Sequence, residues 1–382
     1  MSPYLITFFS SFCLCWIGET NLKRYNKKWV SYPFIWASVL IVAILAGLRD
    51  YSIGSDTFSY TLYFIDYGSR FSSLQKFMAF FGSVYEPGFN IMGYFVGLIF
   101  NHDGHWFLFW CAIVIYGFMM KAFWYYKDYC SVSLAWLFFL MLDCTQSLNI
   151  IRQYMAVAIA SYAFCSALDG KYKKYVLLTI IAASFHYSAI FSFIILFIIW
   201  GLKKNNTFHY KMLTVILTTI ITAGFVVFIR VLESFGGFIG AKIAMGLESK
   251  TFMFQLNPFL IRLPFLVIVL LNRRRLVDPY DRRISEDNST TYGDAFALLL
   301  IVELILSQLR GFSDAAYRLT SYLLVFKYVI YSHVIELPDY RANKIVKRIL
   351  AISYMLVIFI YWVVIIKSAH IYPYTSEILG IR

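Results

Sequence analysis

The sequence predicts an all-α polytopic integral membrane protein. Hydrophobic residues occupy 60% of the 382 positions and charged residues only 14%, whereas charged residues make up about 25% of a typical soluble domain. A soluble fold of this size could not bury so much apolar surface in one core. The apolar residues also come in long unbroken runs, where a transmembrane β-barrel would show alternation. We therefore expect residues 1–382 to form a single integral membrane domain with roughly 11–13 transmembrane helices.

The apolar runs give the order of the predicted helices, because a helix needs about 20 apolar residues to cross the hydrocarbon core. The predicted spans are residues 3–20, 30–48, 86–101, 105–123, 132–149, 151–168, 212–232, 256–272, 293–310, 318–336 and 348–368.

One further apolar run, residues 175–201, has a basic loop on each side. A single crossing would put these two loops on opposite faces of the membrane. We therefore predict a re-entrant or broken helix, with a half-helix over 175–185, a turn at Phe185–Ser188 and a returning segment over 189–201. Non-helical backbone at this depth must be surrounded by protein or by water.

Six short loops between the apolar runs carry most of the basic residues, which give the chain a net charge of +13. Positive charge in such loops is a topology signal rather than a nucleic-acid site, and the positive-inside rule places the loops in the cytoplasm. The loops are residues 21–28, 121–127, 171–174, 203–211, 273–283 and 341–348. The same rule predicts an external segment at residues 49–85 and an external amphipathic segment at residues 233–255.

The path of the chain from Arg49 to Lys121 is open at this level. Two ordinary crossings in this stretch would leave Lys121 and Lys127 on the outside. Either residues 86–101 are re-entrant, or residues 56–82 contribute a span, or the two lysines break the positive-inside rule.

Four arginines stand apart from the basic loops, at predicted outer ends of helices: Arg49, Arg152, Arg310 and Arg318. Their position opposes the positive-inside tendency and therefore needs another cause. An anionic ligand on the outer side supplies one, because a planar guanidinium donates two parallel hydrogen bonds to a phosphate. The alternative is that each arginine pairs with a nearby carboxylate or extends its charge to the membrane surface. As a set, the four arginines predict a diphosphate-binding site.

Three titratable residues near these arginines are candidates for catalysis. Asp56 lies in the predicted external segment, Glu86 directly follows it, and His186 lies at the predicted turn. A carboxylate or an imidazole beside a sugar hydroxyl can act as a general base. The structural alternatives are a carboxylate that pairs with arginine and a histidine that is hydrogen-bonded in a core. The chain has no HExxH, DxD or paired His/Cys pattern, so we predict no metal site and no cofactor.

Several of these residues lie in motifs that resemble, in order, those of a family of bacterial membrane proteins. The motifs are Gly47-Leu48-Arg49, Gly54-Ser55-Asp56-Thr57 with Tyr60, Glu86-Pro87-Gly88-Phe89, Asn149-Ile150-Ile151-Arg152-Gln153, Ala182–Ala189, and Arg318 with Tyr322. The ordered set is similar to that of the EpsG-like proteins, which belong to the Wzy-type polymerases of bacterial surface polysaccharide. Ser55 departs from the threonine usual in the family but keeps the hydroxyl. The resemblance implies that Tyr60, Gln153 and Tyr322 help to position the substrate.

The resemblance also implies a metal-independent glycosyltransferase. A glycan growing on undecaprenyl diphosphate would be transferred to a new lipid-linked repeat unit at the outer face of the bacterial inner membrane, as in O-antigen, capsule or exopolysaccharide synthesis. The expected partners are the undecaprenyl-diphosphate-linked donor and acceptor, membrane lipid, a chain-length regulator and a flippase, but no nucleic acid. A lipid-linked oligosaccharide flippase and an O-antigen ligase stay open as alternatives, because both also handle a diphosphate lipid.

Overall fold

The computed structural model describes residues 1–204, 207–224, 254–272, 292–337 and 341–382. The predicted external segment 233–255, apart from residues 254–255, and the basic loop 273–283 lie outside the described residues. The described residues fall into two compact units. The first unit comprises Met1–Ile190 and Pro338–Arg382, and the second comprises Phe191–Leu337.

The described residues are helical, without a β-strand, which confirms the predicted all-α class. Up to the middle of the chain the α-helices are α1 (Ser2–Tyr25), α2 (Lys28–Gly47), α3 (Leu74–Phe81), α4 (Pro87–Ile99), α5 (Gly104–Tyr125), α6 (Val132–Leu142), α7 (Cys144–Asn149), α8 (Ile151–Leu168) and α9 (Tyr172–Phe185). Those that follow are α10 (Ser192–Lys204), α11 (Phe208–Ala223), α12 (Leu256–Leu271), α13 (Tyr292–Leu306), α14 (Asp314–Tyr317), α15 (Leu324–Glu336) and α16 (Arg341–Ile360). Short helices of other types include a π-helix over Ser59–Asp66 and 3-10 helices over Tyr67–Arg70, Tyr187–Phe191 and Arg318–Leu323.

Four helices within the described residues are long and apolar enough to cross a membrane: Ser2–Tyr25, Lys28–Gly47, Gly104–Tyr125 and Asn343–Ile365. Shorter apolar helices accompany them at Pro87–Ile99, Val132–Leu142, Tyr187–Leu202, Phe208–Ala223 and Leu256–Leu271. The chain is therefore a helical membrane protein, as its composition predicts.

Helices α2 and α5 run antiparallel beside each other in the first unit. The Gly47 carbonyl at the end of α2 lies 3.1 Å from the ring Nδ1 of His105 at the start of α5. At the other end, the rings of Tyr32 and Trp124 are 6.1 Å apart. The basic residue Lys121 therefore lies at the same end of the unit as the start of α2, as the positive-inside rule requires.

Helix α4 is too short to cross the membrane. Its 13 residues extend about 20 Å, against a hydrocarbon core of about 30 Å. The chain leaves α2 and enters α5 at the same end of the unit, so the intervening segment makes no net crossing. Of the three possibilities left open by the sequence, a re-entrant 86–101 is the one that the structure favours.

The segment between α2 and α4 is ordered by an aromatic cluster. The ring of Phe64 lies 4.8 Å from Tyr85, 5.1 Å from Phe89 and 5.6 Å from Phe107. Phe64 is fully buried, and aromatic pairs at these separations add to the gain from burial. This packing fixes the π-helix and the start of α4 against α5.

One predicted span and the apolar run 175–201 are interrupted. The predicted span 132–149 is split at Asp143, whose carboxylate accepts a hydrogen bond of 2.8 Å from the Tyr154 hydroxyl. The run 175–201 breaks at His186, which is extended between α9 and a 3-10 helix. The second break is the one that the flanking basic loops predict.

Gly88 in the first turn of α4 allows close contact with α9. A Cβ atom at Gly88 would lie 2.9 Å from the backbone oxygen of Ser184 and closer still to its side chain. Gly88→Ala should therefore destabilise the protein by about 1–3 kcal/mol through overpacking, measured by thermal unfolding in detergent. Gly117→Ala is the matched control, because its Cβ would meet no atom closer than 3.9 Å. Equal melting temperatures for the two variants would contradict the close contact.

Candidate functional site

Arg49 is a fully buried anchor rather than a surface charge. Its side chain is 1% exposed. The guanidinium donates to the carbonyls of Ile53 at 3.2 Å and Leu148 at 2.9 Å, to the Ala46 carbonyl, and to the Thr57 hydroxyl at 3.3 Å. It contacts no carboxylate among the described residues. These bonds tie the loop after α2 to the end of α7, and its predicted role as a diphosphate ligand stays a prediction.

Asn149 joins the same two segments from the other side. Its Oδ1 accepts hydrogen bonds from the Ser55 hydroxyl at 2.9 Å and from the Asp56 backbone N–H at 3.0 Å. Gly54 adopts a φ of +91°, which favours glycine. The motif around Asp56 is therefore held against the residues that precede Arg152.

The C-terminal tail completes this arrangement. The backbone N–H groups of Gly54 and Ser55 donate to the carbonyls of His370 and Ala369, each at 3.2 Å. The Tyr374 hydroxyl donates to the Leu45 carbonyl at 2.8 Å. No sequence motif indicated that the tail supports the site, because these contacts use main-chain atoms that any sequence supplies.

Arg152 and Glu86 form an ion pair of 2.5 Å at the centre of the candidate site. The Arg152 side chain is 23% exposed and that of Glu86 is 8% exposed. Arg152 Nε lies 3.5 Å from the Tyr60 hydroxyl, and its guanidinium lies over the Tyr85 ring at 5.0 Å. Its Nη2 group donates no hydrogen bond to any described residue, so this edge of the guanidinium is open to a ligand.

The tyrosines in this cluster are strongly perturbed. Burial raises the pKa of Tyr85 to about 12, with Tyr60 and Asp56 adding to the rise and Arg152 opposing it. Burial also raises the pKa of Tyr60, against the effect of Arg152. Both hydroxyls therefore keep their protons at neutral pH and can donate hydrogen bonds. Asp56 makes no ion pair with a described residue, and its carboxylate accepts only a bond of 3.3 Å from Ser55.

His186 lies where α9 ends, two residues beyond the contact between Ser184 and Gly88. Its Nδ1 is 2.6 Å from the Ser188 hydroxyl and accepts a bond of 3.3 Å from the Ser188 backbone N–H. A backbone N–H can only donate, so this geometry favours the neutral tautomer with its proton on Nε2. The Nδ1 lone pair is thus already occupied within the turn.

The remaining predicted residues fall in two places. Gln153 follows Arg152 on α8 but is buried, with 4% exposure. Arg310, Arg318 and Tyr322 belong to the second unit. There, Arg310 Nε lies 3.4 Å from the Asp314 carboxylate, Arg318 begins a 3-10 helix, and Tyr322 is fully buried. Arg310 therefore pairs with a carboxylate four residues further along the chain. Such a pair is the structural alternative to binding an anionic ligand.

The second unit also contains a buried charge cluster outside the predicted site. Arg262 Nε donates to both oxygens of Glu303, at 2.8 and 2.7 Å, and its Nη2 lies 3.3 Å from the Tyr317 hydroxyl. Lys327 Nζ is 3.9 Å from the same carboxylate. The signal in the sequence was one charged residue near the middle of each of three predicted spans, with one acid for two bases.

The EpsG family model matches residues 32–376, most of the chain. No curated protein and no solved structure matches the chain. The described residues contain no group of three or more side chains suited to hold a metal ion.

Arg49→Lys should reduce stability, because one ammonium cannot replace a fork that bonds to Leu148, Ile53 and Thr57 together. Each charge-assisted bond lost is worth roughly 1.5–3 kcal/mol. The measurement is thermal unfolding in detergent, with Arg70→Lys as the control, since Arg70 is exposed in the same segment. An Arg49→Lys protein that melts normally but makes no polymer would instead favour direct ligand binding.

Proposed function

The chain belongs to the EpsG family, and from this premise and the Arg152 cluster we propose that it polymerises a surface polysaccharide. Family membership implies a glycosyltransferase-like polymerase of polysaccharide biosynthesis in a bacterial membrane. The finer proposal is that a glycan on undecaprenyl diphosphate is transferred to a lipid-linked repeat unit at the outer face of the inner membrane. A chain-length regulator and a flippase are the proposed protein partners.

The observation that carries the proposal is the half-buried guanidinium of Arg152. Glu86 and the Tyr85 ring fix its orientation, and Nη2 keeps its donors unused among the described residues. A diphosphate oxygen at that edge would receive charge-assisted hydrogen bonds, which are about twice as strong as neutral ones. Arginine placed there stabilises the negative charge that develops on the leaving phosphate.

The reaction needs one bond to break and one to form. The C1–O bond of the donor sugar breaks and its electron pair goes to the diphosphate, which Arg152 holds. The acceptor hydroxyl oxygen bonds to C1, and its proton passes to a base. A metal-independent reaction is part of the proposal, since a fixed guanidinium can carry the charge-stabilising role.

Asp56 is the best-supported base of the three candidates. Glu86 is already paired with Arg152 at 2.5 Å, which occupies its carboxylate, and we assign it the role of positioning Arg152. The lone pair of His186 Nδ1 is engaged by Ser188. Asp56 has no such partner among the described residues, and it raises the pKa of Tyr85, so it lies within electrostatic reach of the cluster.

The products of a deletion strain distinguish polymerase from flippase and ligase. Loss of a polymerase leaves surface glycan with a single repeat unit, whereas loss of a flippase or a ligase removes all repeats. Polymer formed by the purified protein from lipid-linked repeat units alone also requires a polymerase. Failure of that reaction, with single repeats absent from the deletion strain, would overturn the proposal.

Arg152→Lys should lose about 10- to 150-fold in polymerisation rate, because lysine keeps the charge but not the fork. The measurement is polymer formation from purified lipid-linked repeats, with protein level checked by immunoblot. Arg70→Lys controls for replacing an exposed arginine whose partner is the Tyr67 ring, at 4.3 Å. Full activity of Arg152→Gln would remove Arg152 from the site.

Asp56→Asn should reduce the rate by roughly 10²- to 10⁴-fold, the usual contribution of a general base. Asparagine keeps the shape and preserves the backbone bond to Asn149, so the protein should fold normally. His186→Ala should reduce the rate less, since its ring is held within its own turn. A larger loss in His186→Ala than in Asp56→Asn would exchange the two roles.

A further inference from the structure

A cavity of about 240 Å³ opens at the turn between α1 and α2. Its charged lining consists of Glu19, Lys23, Lys28, Lys127 and Asp128. The three lysines belong to the basic loops 21–28 and 121–127, which are predicted to be cytoplasmic. The Arg152 cluster contributes none of the lining.

The acidic side chains of this cavity are already satisfied. Glu19 accepts hydrogen bonds from the backbone N–H and hydroxyl of Ser133, at 3.0 and 2.9 Å, and pairs with Lys23 at 2.7 Å. Asp128 pairs with Lys127 at 2.7 Å. Lys28 has no such partner among the described residues. Basic side chains outnumber acidic ones in the lining, so the cavity favours an anion.

An apolar groove of about 380 Å³ continues from this cavity along α2 and α5. The cavity and the groove share Tyr32 and Trp124. Along α2 the groove extends to Val39, about 10 Å from Tyr32 at 1.5 Å per residue. Gly117 on α5 keeps the groove open, because its place would otherwise hold a side chain against Trp36. Both helices are long enough to cross a membrane.

We propose that the cavity and groove together bind an anionic phospholipid of the inner leaflet. The phosphate of the headgroup lies in the cavity beside Lys28 and Lys127, and one acyl chain lies in the groove. Basic pockets between transmembrane helices on the cytoplasmic side are suited to anionic headgroups. The aromatic rings of Tyr32 and Trp124 lie where the two regions meet, and amphipathic rings of this kind prefer the membrane–water interface.

This site goes beyond the polymerase proposal and does not depend on it. Its function is to fix the depth of the first unit relative to the inner leaflet. A zwitterionic lipid would fill the groove equally well but would gain less from the lysines. The headgroup charge and the acyl chain can therefore be tested separately.

Native mass spectrometry of the full chain in detergent gives the test, with phosphatidylglycerol and phosphatidylcholine as probes. Phosphatidylglycerol should bind more tightly, and Lys28→Gln and Lys127→Gln should each weaken it roughly fivefold, since each lysine contributes about 1 kcal/mol of attraction. Lys173→Gln is the control, because Lys173 is an exposed lysine of another basic loop and should change nothing.

Gly117→Leu tests the groove while leaving every lysine in place. The nearest atom to a Cβ at Gly117 is 3.9 Å away and leucine is a better helix former than glycine, so the variant should fold and should lose bound phosphatidylglycerol. Three results would overturn the proposal: equal binding of the two lipids, equal weakening in Lys173→Gln, or unchanged binding in Gly117→Leu. Lys28 is exposed and the Lys127 side chain is 31% exposed, so the lysine variants should fold and keep the test valid if Gly117→Leu fails to fold.

Discussion

The site depends on the bond between the loop after α2 and the segment that precedes α8. A guanidinium buried as deeply as that of Arg49 must have its donors satisfied, because an unpaired buried charge is very unfavourable. Carbonyl oxygens of both segments meet that need, and the Asn149 amide adds two further bonds between the segments. Separation of the segments would leave Arg49 without acceptors. The start of α8, and with it Arg152, is therefore fixed relative to Asp56.

The aromatic cluster supplies the other wall of the site. Phe64, Tyr85 and Phe89 pack between the π-helix, α4 and α5. The many aromatic residues of the chain therefore hold these elements together at the site. The same packing places the Tyr85 ring beneath the Arg152 guanidinium at 5.0 Å. Cation and ring attract each other most strongly where water is excluded. Arg152 is consequently held by Glu86 at one edge and by an aromatic face below, which leaves Nη2 as its free edge.

The sequence predicts the fold class and the break at His186, because apolar runs and basic loops are formed by residues that are close together in the chain. It also selected Arg152, Glu86 and Tyr60, which the structure brings into one cluster. It did not indicate that Arg49 is buried, since exposure depends on tertiary packing. The Arg262–Glu303 pair was missed because its partners lie far apart in the chain, so the charges inside the apolar runs did not show that they pair. The contacts of the C-terminal tail were missed because main-chain acceptors have no sequence signature.

Helix α5 extends from the candidate site to the apolar groove. Its 22 residues extend about 33 Å, close to the thickness of a hydrocarbon core. Its first residue, Gly104, packs against Thr61 in the segment between α2 and α4, whereas Lys121 and Trp124 line the groove near its other end. Helix α8 runs in the same direction as α5. Arg152 lies in its first turn, and Asp169, just past its end, accepts a hydrogen bond of 2.7 Å from the hydroxyl of Tyr125.

If the lysine-rich end faces the cytoplasm, as the positive-inside rule requires, the Arg152 cluster faces outward. That is the face on which a polymerase of lipid-linked repeats would need it.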